Sequence, residues 1–375
     1  MLTLILYQMY FVSSLAAVYI IIKLLMARKL RFKPSHIKVS QDELPTISVC
    51  IPARDETNSM TACLESVLAS DYPKLEVLVL DDNSSDDTPN LIRAFAHAGV
   101  RFIAGSKLAG GWLGKNYALE KLSEEASGHY IVFLDVDTRI KHDTISLLIK
   151  QMLVENKEMV SILPQRDDMS RASTWFASLR YFWELALNSK SRPGAASAMW
   201  IINRHILIDQ IGGFDHYRDI VQPERMMAKQ LSKDGQYAFW ASTKRLGVTF
   251  EKKWSSQLES SRRLLLPQFG NSFTNMAIGI GLIAVTVMPQ IILVIALING
   301  WSNHLWGAVI IGFSATIMSA IYTSLAWTKL WWLAPIASWY VAWQELFLLI
   351  SSAIGYHFKT ITWKGRPIER PARNR

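Results

Sequence analysis

The sequence predicts an α/β protein in which a doubly wound sheet is flanked by N-terminal and C-terminal membrane helices. Short β-favouring runs alternate with helical segments from residue 46 to residue 231, which favours right-handed βαβ units. Acidic clusters follow two of these strands, and the apolar residues, 50% of the chain, concentrate at its two ends. We expect an N-terminal transmembrane helix over residues 1–27, a basic linker over 28–45, a cytoplasmic globular domain over 46–265, two or three membrane segments over 266–357 and a basic cytoplasmic tail over 358–375.

The first segment, Leu2 to Met26, is longer than the apolar core of a signal peptide and contains Lys23 as its one charged side chain. No small-residue cleavage site follows it, so we expect a retained transmembrane helix. Basic residues come directly after it, including Arg28, Lys29 and Arg31. The positive-inside rule therefore places the globular domain in the cytoplasm.

The net charge is +9, and the basic residues cluster next to apolar segments, as in the run after Met26 and in the tail from Lys359. Clusters of this kind favour an anionic membrane surface. No zinc-finger or RNA-recognition signature accompanies them, so we expect no nucleic-acid partner. The two cysteines, Cys50 and Cys63, lack metal-ligand spacing and are expected to be reduced core residues.

The stretch Tyr130 to Thr138 is the most informative in the chain. Four apolar residues before Asp135 predict a buried strand of a parallel sheet. Ligands of open α/β sheets bind outside the carboxyl ends of the strands, where Asp135 and Asp137 would lie. On an extended chain these two carboxylates leave on the same side, which suits a divalent cation that bridges to a diphosphate. An acidic turn after a strand is the alternative.

Two earlier strands end in polar clusters as well. Residues 46–52 lead to Ala53-Arg54-Asp55-Glu56, and residues 75–80 lead to the acidic run 81–88. Helices are expected over residues 58–69, capped by Asn58 and Ser59, and over 89–97, capped by Asp87 or Thr88. An Asx turn that caps this second helix would explain Asp81, Asp82 and Asp86 without a ligand.

A glycine-rich turn, residues 110–114, precedes Lys115 and opens a helix expected to reach Lys121. Backbone N–H groups converge at such a turn and Lys115 adds a positive charge, which suits phosphate. The pattern lacks the Gly-Lys-Ser/Thr of a Walker loop. Further on, residues 173–188 carry an apolar stripe that is more typical of core than of a ligand site. The stripe consists of Trp175, Phe176, Leu179, Phe182, Trp183 and Leu187.

Four separated motifs together resemble glycosyltransferase family 2, with its GT-A, Rossmann-like nucleotide-sugar fold. They are residues 51–56, residues 81–86, Asp135-Val136-Asp137 and Gly212-Gly213-Phe214-Asp215, in the order of the family. The resemblance covers residues 46–263. The segments 111–115 and 363–366, with the flanking apolar helices, look like members that glycosylate lipids. These members are the carotenoid (diaponeurosporenoate) and hopanoid-associated glycosyltransferases and, more distantly, ceramide glucosyltransferase.

The resemblance implies a role for each matching position. Pro52, Ala53, Asp55 or Glu56, and Asp82 would line the nucleoside pocket. Asp135 and Asp137 would contact the ribose and a Mn2+ or Mg2+ ion, with Asp137 as the direct ligand, and Lys115 would assist the leaving diphosphate.

The general base of the family is usually an Asp preceded by an acidic residue. Here the equivalent position is Glu224, preceded by Pro223. The side chain of Glu is longer by one methylene, so the backbone must compensate. Asp219 is the fallback, and a favourable charge in the first turn of a helix is the other explanation of Glu224.

Processive members carry Gln-x-x-Arg-Trp near the membrane, where this chain has Glu259-Ser260-Ser261-Arg262-Arg263. The loss of Gln and Trp weakens the case for polymer synthesis. Arg262 or Arg263 would contact the diphosphate or would serve only as an interfacial anchor.

Three later segments, residues 273–298, 305–327 and 331–354, are each long enough to span a membrane. If all three spanned, the basic tail would lie outside, so one of them is expected to be re-entrant or interfacial. Pro335 makes the last segment the first candidate, and Pro289 marks the alternative. Glu345 lies within this last segment and is either functional or solvated at the interface.

These features predict an inverting, metal-dependent hexosyltransferase. It would move a sugar from a UDP-sugar to the hydroxyl or carboxyl of an isoprenoid or other membrane lipid. The alternatives are a polysaccharide synthase of the same family and a catalytically silent membrane scaffold.

Overall fold

The computed structural model describes residues 2–35, 40, 42–168, 179, 181–300 and 302–368. The predictions for Trp175, Phe176 and the last part of the tail, from residue 369, lie outside the described residues. The chain forms two compact units. The helical unit comprises Met1–Lys29, Asp168–Asn188 and Lys252–Arg375, and the αβ unit comprises Leu30–Asp167 and Ser189–Glu251.

The helices are numbered here in chain order: α1 Leu2–Ala27, α2 Met60–Leu68, α3 Thr88–Ala94, α4 Gly114–Glu125, α5 Thr144–Val154, α6 Phe182–Ala186, α7 Pro223–Leu231, α8 Trp254–Gln268, α9 Phe273–Asn299, α10 Ser302–Ala326 and α11 Ser338–His357. The strands are β1 Ile47–Ala53, β2 Leu75–Asp81, β3 Val100–Ala104, β4 Tyr130–Leu134, β5 Thr138–Arg139, β6 Met159–Leu163, β7 Gln165–Arg166, β8 Met199–Asn203, β9 Tyr237–Ala241, β10 Thr249–Phe250, β11 Thr362–Trp363 and β12 Arg366–Pro367.

The αβ unit is built on a seven-stranded sheet of order β3-β2-β1-β4-β8-β6-β9. Strand β8 pairs antiparallel with β4 and β6, and the other pairings are parallel. The doubly wound mixed sheet predicted from the sequence is therefore confirmed. A smaller sheet of order β5-β10-β7 is formed by three short strands, which follow β4, β9 and β6 respectively in sequence.

Both faces of the large sheet are buried, because alternate residues of each strand enter different cores. Val49, Val79 and Val132 belong to one core, with residues of α2 and α5. Cys50 and Phe133 belong to the other, with residues of α4 and α7. This explains why the strands are almost continuously apolar in sequence. Cys50 and Cys63 are both buried and free, as expected.

Several element ends differ from the predictions because local side chains decide them. Helix α2 begins at Met60, and Ser59 makes no side-chain capping bond. Helix α3 ends at Ala94, and a 3-10 turn follows it. Asp87 occupies the N-cap position of α3 as predicted but makes no side-chain capping bond, and the N–H of Thr88 donates to Asp86 Oδ1 at 3.0 Å.

In the helical unit, three helical stretches among the described residues are long and apolar enough to cross a membrane: Tyr7–Leu30, Phe273–Asn299 and Trp306–Ala326. Helix α9 continues through Pro289. The last apolar segment is interrupted, since a 3-10 turn containing Pro335 precedes α11.

The carboxylate of Glu345 is 1% exposed and has a structural role in the helical unit. It accepts hydrogen bonds from Trp183 Nε1 at 2.8 Å and from the Leu179 N–H at 3.2 Å. Glu345 therefore ties α11 to residues 179–183 and is not a solvated surface charge.

Candidate active site

The candidate site lies at one edge of the large sheet. The parallel strands β1, β2 and β4 all end at this edge, with Ala53 in register with Asp81. Because β1 lies between β2 and β4, strand spacing separates the residues that follow β2 and β4 by roughly 10 Å. The sheet thus brings Pro52, Ala53, Asp82, Asp135 and Asp137 to the same edge, as predicted for a ligand crevice.

The loop after β1 is fixed by polar bonds to the loop after β2. Asp55 has a left-handed backbone, with φ of 50°, and its Oδ1 accepts hydrogen bonds from the N–H and hydroxyl of Ser85 at 2.7 and 3.0 Å. The Glu56 N–H donates to Thr88 Oγ1 at 2.8 Å. Asp55 therefore orders the loop walls, and Asp55 and Glu56 are both partly exposed.

Asp81 and Asp82 differ in role. Asp81 Oδ2 accepts from the Ser84 N–H at 3.3 Å, which closes an Asx turn. Asp82 is 5% exposed, and its N–H donates to the Ala53 carbonyl at 2.8 Å. Arg54 Nη1 donates to the Asp82 carbonyl at 2.5 Å and lies 4.0 Å from the carboxylate. The Asx turn thus accounts for Asp81, whereas Asp82 is almost fully buried at the sheet edge.

The segment Asp135-Val136-Asp137 corrects one premise of the sequence analysis, because it is a turn and not an extended chain. The Thr138 N–H donates to the Asp135 carbonyl at 2.9 Å, and the Asp135 N–H donates to the Ala198 carbonyl at 2.9 Å. The first bond reverses the chain so that it can enter β5. Both carboxylates remain partly exposed, while Val136 is buried.

Lys115 forms an ion pair with Asp135. Helix α4 begins at Gly114, so Lys115 lies in its first turn, and its side chain crosses to the turn that follows β4. The Lys115 and Asp135 side chains are 20% and 21% exposed. The pair joins the glycine-rich turn to the acidic turn, which places the cation of Lys115 next to the predicted diphosphate site.

Glu224 lies in the first turn of α7 and is 2% exposed. Burial raises the pKa of its carboxyl to about 7, although the nearby positive charge of Lys115 acts to lower it. Its Oε1 has no hydrogen-bond partner among the described residues. A buried carboxylate next to Lys115 and Asp135 with a pKa near neutrality has the properties of a general base.

The motif Gly212-Gly213-Phe214-Asp215 has a structural role. Phe214 is fully buried and contacts the rings of Phe133 and Trp200 across the sheet. Its N–H donates to Glu120 Oε2 at 2.8 Å. Gly213 has φ of 70°, and a Cβ there would lie 2.7 Å from Glu120 Oε2. The motif therefore shapes the chain that leads to α7.

Two polar residues of α4 were missed in the sequence analysis. Asn116 and Glu120 lie one turn apart on the same face of the helix and bond to the segment 214–220. The signal was present, because Leu119 and Ser123, which lie on the same face, are also buried. Polar residues on a buried helix face need partners, but the sequence does not show which distant segment supplies them.

Arg262 belongs to the helical unit, within α8. Its side chain is exposed, and its carbonyl accepts from Ser352 Oγ at 2.7 Å. The guanidinium of the adjacent Arg263 lies 5.3 Å from the ring of Trp363. Arg262 thus belongs to the helical unit and the sheet edge to the αβ unit, and its contact with the diphosphate stays a prediction.

The donor set at the sheet edge fits a magnesium or manganese ion only together with a ligand. Among the described residues, no group of three or more His, Cys, Asp or Glu side chains could hold a metal ion. Asp135 and Asp137 offer hard oxygen atoms, and Asp135 is already paired with Lys115. One or two carboxylates completed by phosphate oxygens and water are typical of sites for Mg2+ with nucleotides.

The mixed sheet, with carboxylates at the ends of its parallel strands, is a GT-A-like α/β fold. A solved structure, the mannosyltransferase PcManGT from Pyrobaculum calidifontis in complex with GDP-Man and Mn2+, shares the fold with a TM-score of 0.57. The two chains are 17% identical, and the match covers 93% of this chain and 98% of the other.

Residues 48–210 match the family model "Glycosyl transferase family 2". The family resemblance inferred from the four motifs is thus confirmed.

Two curated relatives match part of the chain. The succinoglycan biosynthesis protein ExoO of Rhizobium meliloti is 29% identical over 128 residues, which are 32% of this chain and 36% of ExoO. The UDP-Glc:alpha-D-GlcNAc-diphosphoundecaprenol beta-1,3-glucosyltransferase WfgD of Escherichia coli is 30% identical over 110 residues, 29% of this chain and 42% of WfgD. The chain thus spans about two fifths of these relatives or less.

Proposed function

We propose that this protein transfers a hexosyl group from a UDP-sugar to a membrane lipid, with inversion at the anomeric carbon. The observation that carries the proposal is the position of Glu224. Its carboxyl is buried in the first turn of α7, close enough to Lys115 and Asp135 for their charges to affect its pKa. A base, a cation and a pair of carboxylates thus meet at the ligand edge of a nucleotide-binding sheet.

In the proposed reaction, Glu224 accepts the proton of the acceptor hydroxyl, and the oxygen attacks the anomeric carbon from the face opposite the diphosphate. The bond to the diphosphate breaks as the new glycosidic bond forms, which inverts the configuration. Lys115, held in place by Asp135, offers a positive charge to the departing diphosphate. A divalent cation, Mn2+ or Mg2+, bound by Asp137 with Asp135 would neutralise further charge on the diphosphate.

Donor binding is assigned to the loops after β1 and β2. Pro52, Ala53, Glu56 and Asp82 would line the nucleoside pocket, whose walls Asp55 fixes through Ser85. Arg262 remains a proposed diphosphate contact on the resemblance alone.

Three features support a lipid acceptor. The chain has three helical stretches apolar enough to cross a membrane, and a water-soluble acceptor would need none of them. Basic residues lie at the C-terminal end of the first of these stretches, among them Arg28 and Lys29, which suits an anionic cytoplasmic membrane surface. In addition, the name of the relative WfgD describes a lipid-linked acceptor, diphosphoundecaprenol. We therefore place the protein in the cell membrane, multi-pass, with the αβ unit in the cytoplasm.

The test is to incubate membranes containing the protein with a panel of labelled UDP-sugars and to analyse the lipid extract. We expect one labelled sugar to enter a lipid that carries a single residue. The variant Glu224→Gln should abolish the labelling. The matched control Glu125→Gln should preserve it, because Glu125 is 51% exposed and pairs only with Arg101 at the surface.

Other outcomes would change the assignment. Products that contain many sugars would identify a polysaccharide synthase of the same family. No release of UDP with any donor, from a folded protein supplied with lipid extract, would indicate a silent scaffold.

A further inference from the structure

Asn116, in the first turn of α4, holds a distant segment of the chain. Its side chain is 2% exposed. The amide nitrogen donates to the carbonyls of Tyr217 at 2.7 Å and Ile220 at 2.8 Å. Both partners are acceptors only, so the amide orientation follows from the network. One side chain therefore fixes two peptide units about one hundred residues away in sequence.

The main chain of α4 adds to this attachment. The Leu113 N–H, immediately before α4, donates to the Arg218 carbonyl at 2.8 Å. One turn further along α4, Glu120 accepts from the Phe214 N–H at 2.8 Å. The segment 214–220 is thus bound along one face of α4 by both backbone and side-chain hydrogen bonds.

This segment leads directly into the helix that bears Glu224. Gln222 is the residue before α7, and Pro223 begins the helix. The last carbonyl that Asn116 holds, that of Ile220, is therefore separated from Pro223 by only two residues. The position of the Ile220 peptide sets where α7 starts, and so where the Glu224 carboxyl lies.

Lys115, the residue before Asn116, connects the beginning of α4 to the acidic turn after β4. Lys115 pairs with Asp135, while Asn116 holds the approach to α7. Lys115 and Asn116, two successive residues of α4, thus fix the distance between the proposed diphosphate site and the proposed base, Glu224.

We propose that Asn116 is a positioning residue that sets Glu224 at the distance required for proton abstraction. The inference rests on the proposed function, in which Glu224 is the base. Asn116 itself touches neither donor nor acceptor in this scheme.

The experiment measures kcat and KM for the UDP-sugar in the full-length protein, with Asn116→Ala and Asn116→Gln. We expect Asn116→Ala to lower kcat roughly 10²-fold, since a misplacement of about 1 Å has an effect of this size. The KM for the donor should change little. Asn116→Gln keeps both donors on a longer stem and should recover part of the lost rate. The control Asn90→Ala removes an exposed amide that donates to Asp87 Oδ1, and it should leave kcat unchanged.

A double-mutant cycle separates positioning from general support of the fold. If Asn116 acts through Glu224, adding Asn116→Ala to Glu224→Gln causes little further loss of rate. Multiplicative losses would overturn the proposal, and so would a wild-type kcat in Asn116→Ala. Loss of the folded state in both Asn116→Ala and Asn116→Gln, seen by thermal melting, would make Asn116 a structural residue and also overturn it.

The failure of the proposed function would look different. Wild-type turnover in Glu224→Gln would show that Glu224 is not the base, whatever Asn116 does. A slow Glu224→Gln variant with a wild-type Asn116→Ala variant would refute the positioning role alone.

Discussion

Glu224 is a buried carboxyl that we expect to destabilise the folded state when it is ionised and to serve as a general base. Replacing Glu224 with Gln tests both expectations. The pKa of this carboxyl is about 7 in the folded chain, against a reference value of 4.5, because burial disfavours the charged form. Each pH unit between these values corresponds to about 1.4 kcal/mol. The ionised side chain therefore destabilises the folded state by about 3 kcal/mol above neutral pH.

The sign follows from linkage. The folded chain binds this proton more tightly than the unfolded chain, so the stabilisation from the protonated form is fully present below pH 4.5. It is lost as the pH rises through 7. Glu224→Gln is neutral at every pH and should avoid this loss. We therefore expect the variant to melt several degrees above the wild type at pH 8, and much closer to it at pH 5.

Activity should move in the opposite direction. A general base must be ionised, so the wild-type rate should fall about tenfold per pH unit below pH 7, and Glu224→Gln should lose about 10² to 10⁴ in kcat. Thermal melting in detergent and initial rates at a series of pH values measure the two effects. Equal melting temperatures of variant and wild type at pH 8, or a variant that keeps its activity, would refute this reasoning.

Two further substitutions test neighbouring parts of the site. Lys115→Met removes a positive charge that lowers the pKa of Glu224, so the acidic limb of the pH–rate profile should shift to higher pH. The kcat should fall tenfold or more, because the charge next to the leaving diphosphate is lost. A shift of the acidic limb to lower pH would contradict the proximity of Lys115 and Glu224. Gly213→Ala should lower the melting temperature and kcat together, because φ of 70° is strained by about 1 kcal/mol or more and the Cβ would meet Glu120. Gly235→Ala is its matched control, with φ of 71° and nothing within 4 Å, so equal effects of the two changes would show that the Glu120 contact is unimportant.

Most of the sheet could be predicted from the sequence because its signals are local. Strands β1, β2 and β4 are continuous apolar runs that end in polar clusters, and a helix is the next element in the chain after each of β1, β2 and β3. Burial on both faces of a sheet produces this pattern directly. The motif residues at the strand ends therefore lie at the predicted edge.

The parts that were wrong or missed depend on contacts between distant residues. Asp135 and Asp137 flank a turn because the Thr138 N–H bonds back to the Asp135 carbonyl, which the residue types alone do not decide. Asp87 is the N-cap residue of α3, but the N–H of Thr88 bonds to Asp86, one of several acidic residues that compete for the same N–H groups. Asn116 donates to the main-chain carbonyls of Tyr217 and Ile220. Every residue has such a carbonyl, so the residue types do not reveal this pairing.

The proposed function requires the acidic turn after β4 to bind a sugar nucleotide through a divalent cation. Calorimetric titration of UDP into the purified protein, with Mn2+ or with a chelator, tests this most directly. We predict binding that requires Mn2+ in the wild type and is lost or weakened at least tenfold in Asp137→Asn, with an unchanged melting temperature. Equal UDP affinity in the variant and the wild type, or binding that is indifferent to the cation, would contradict it.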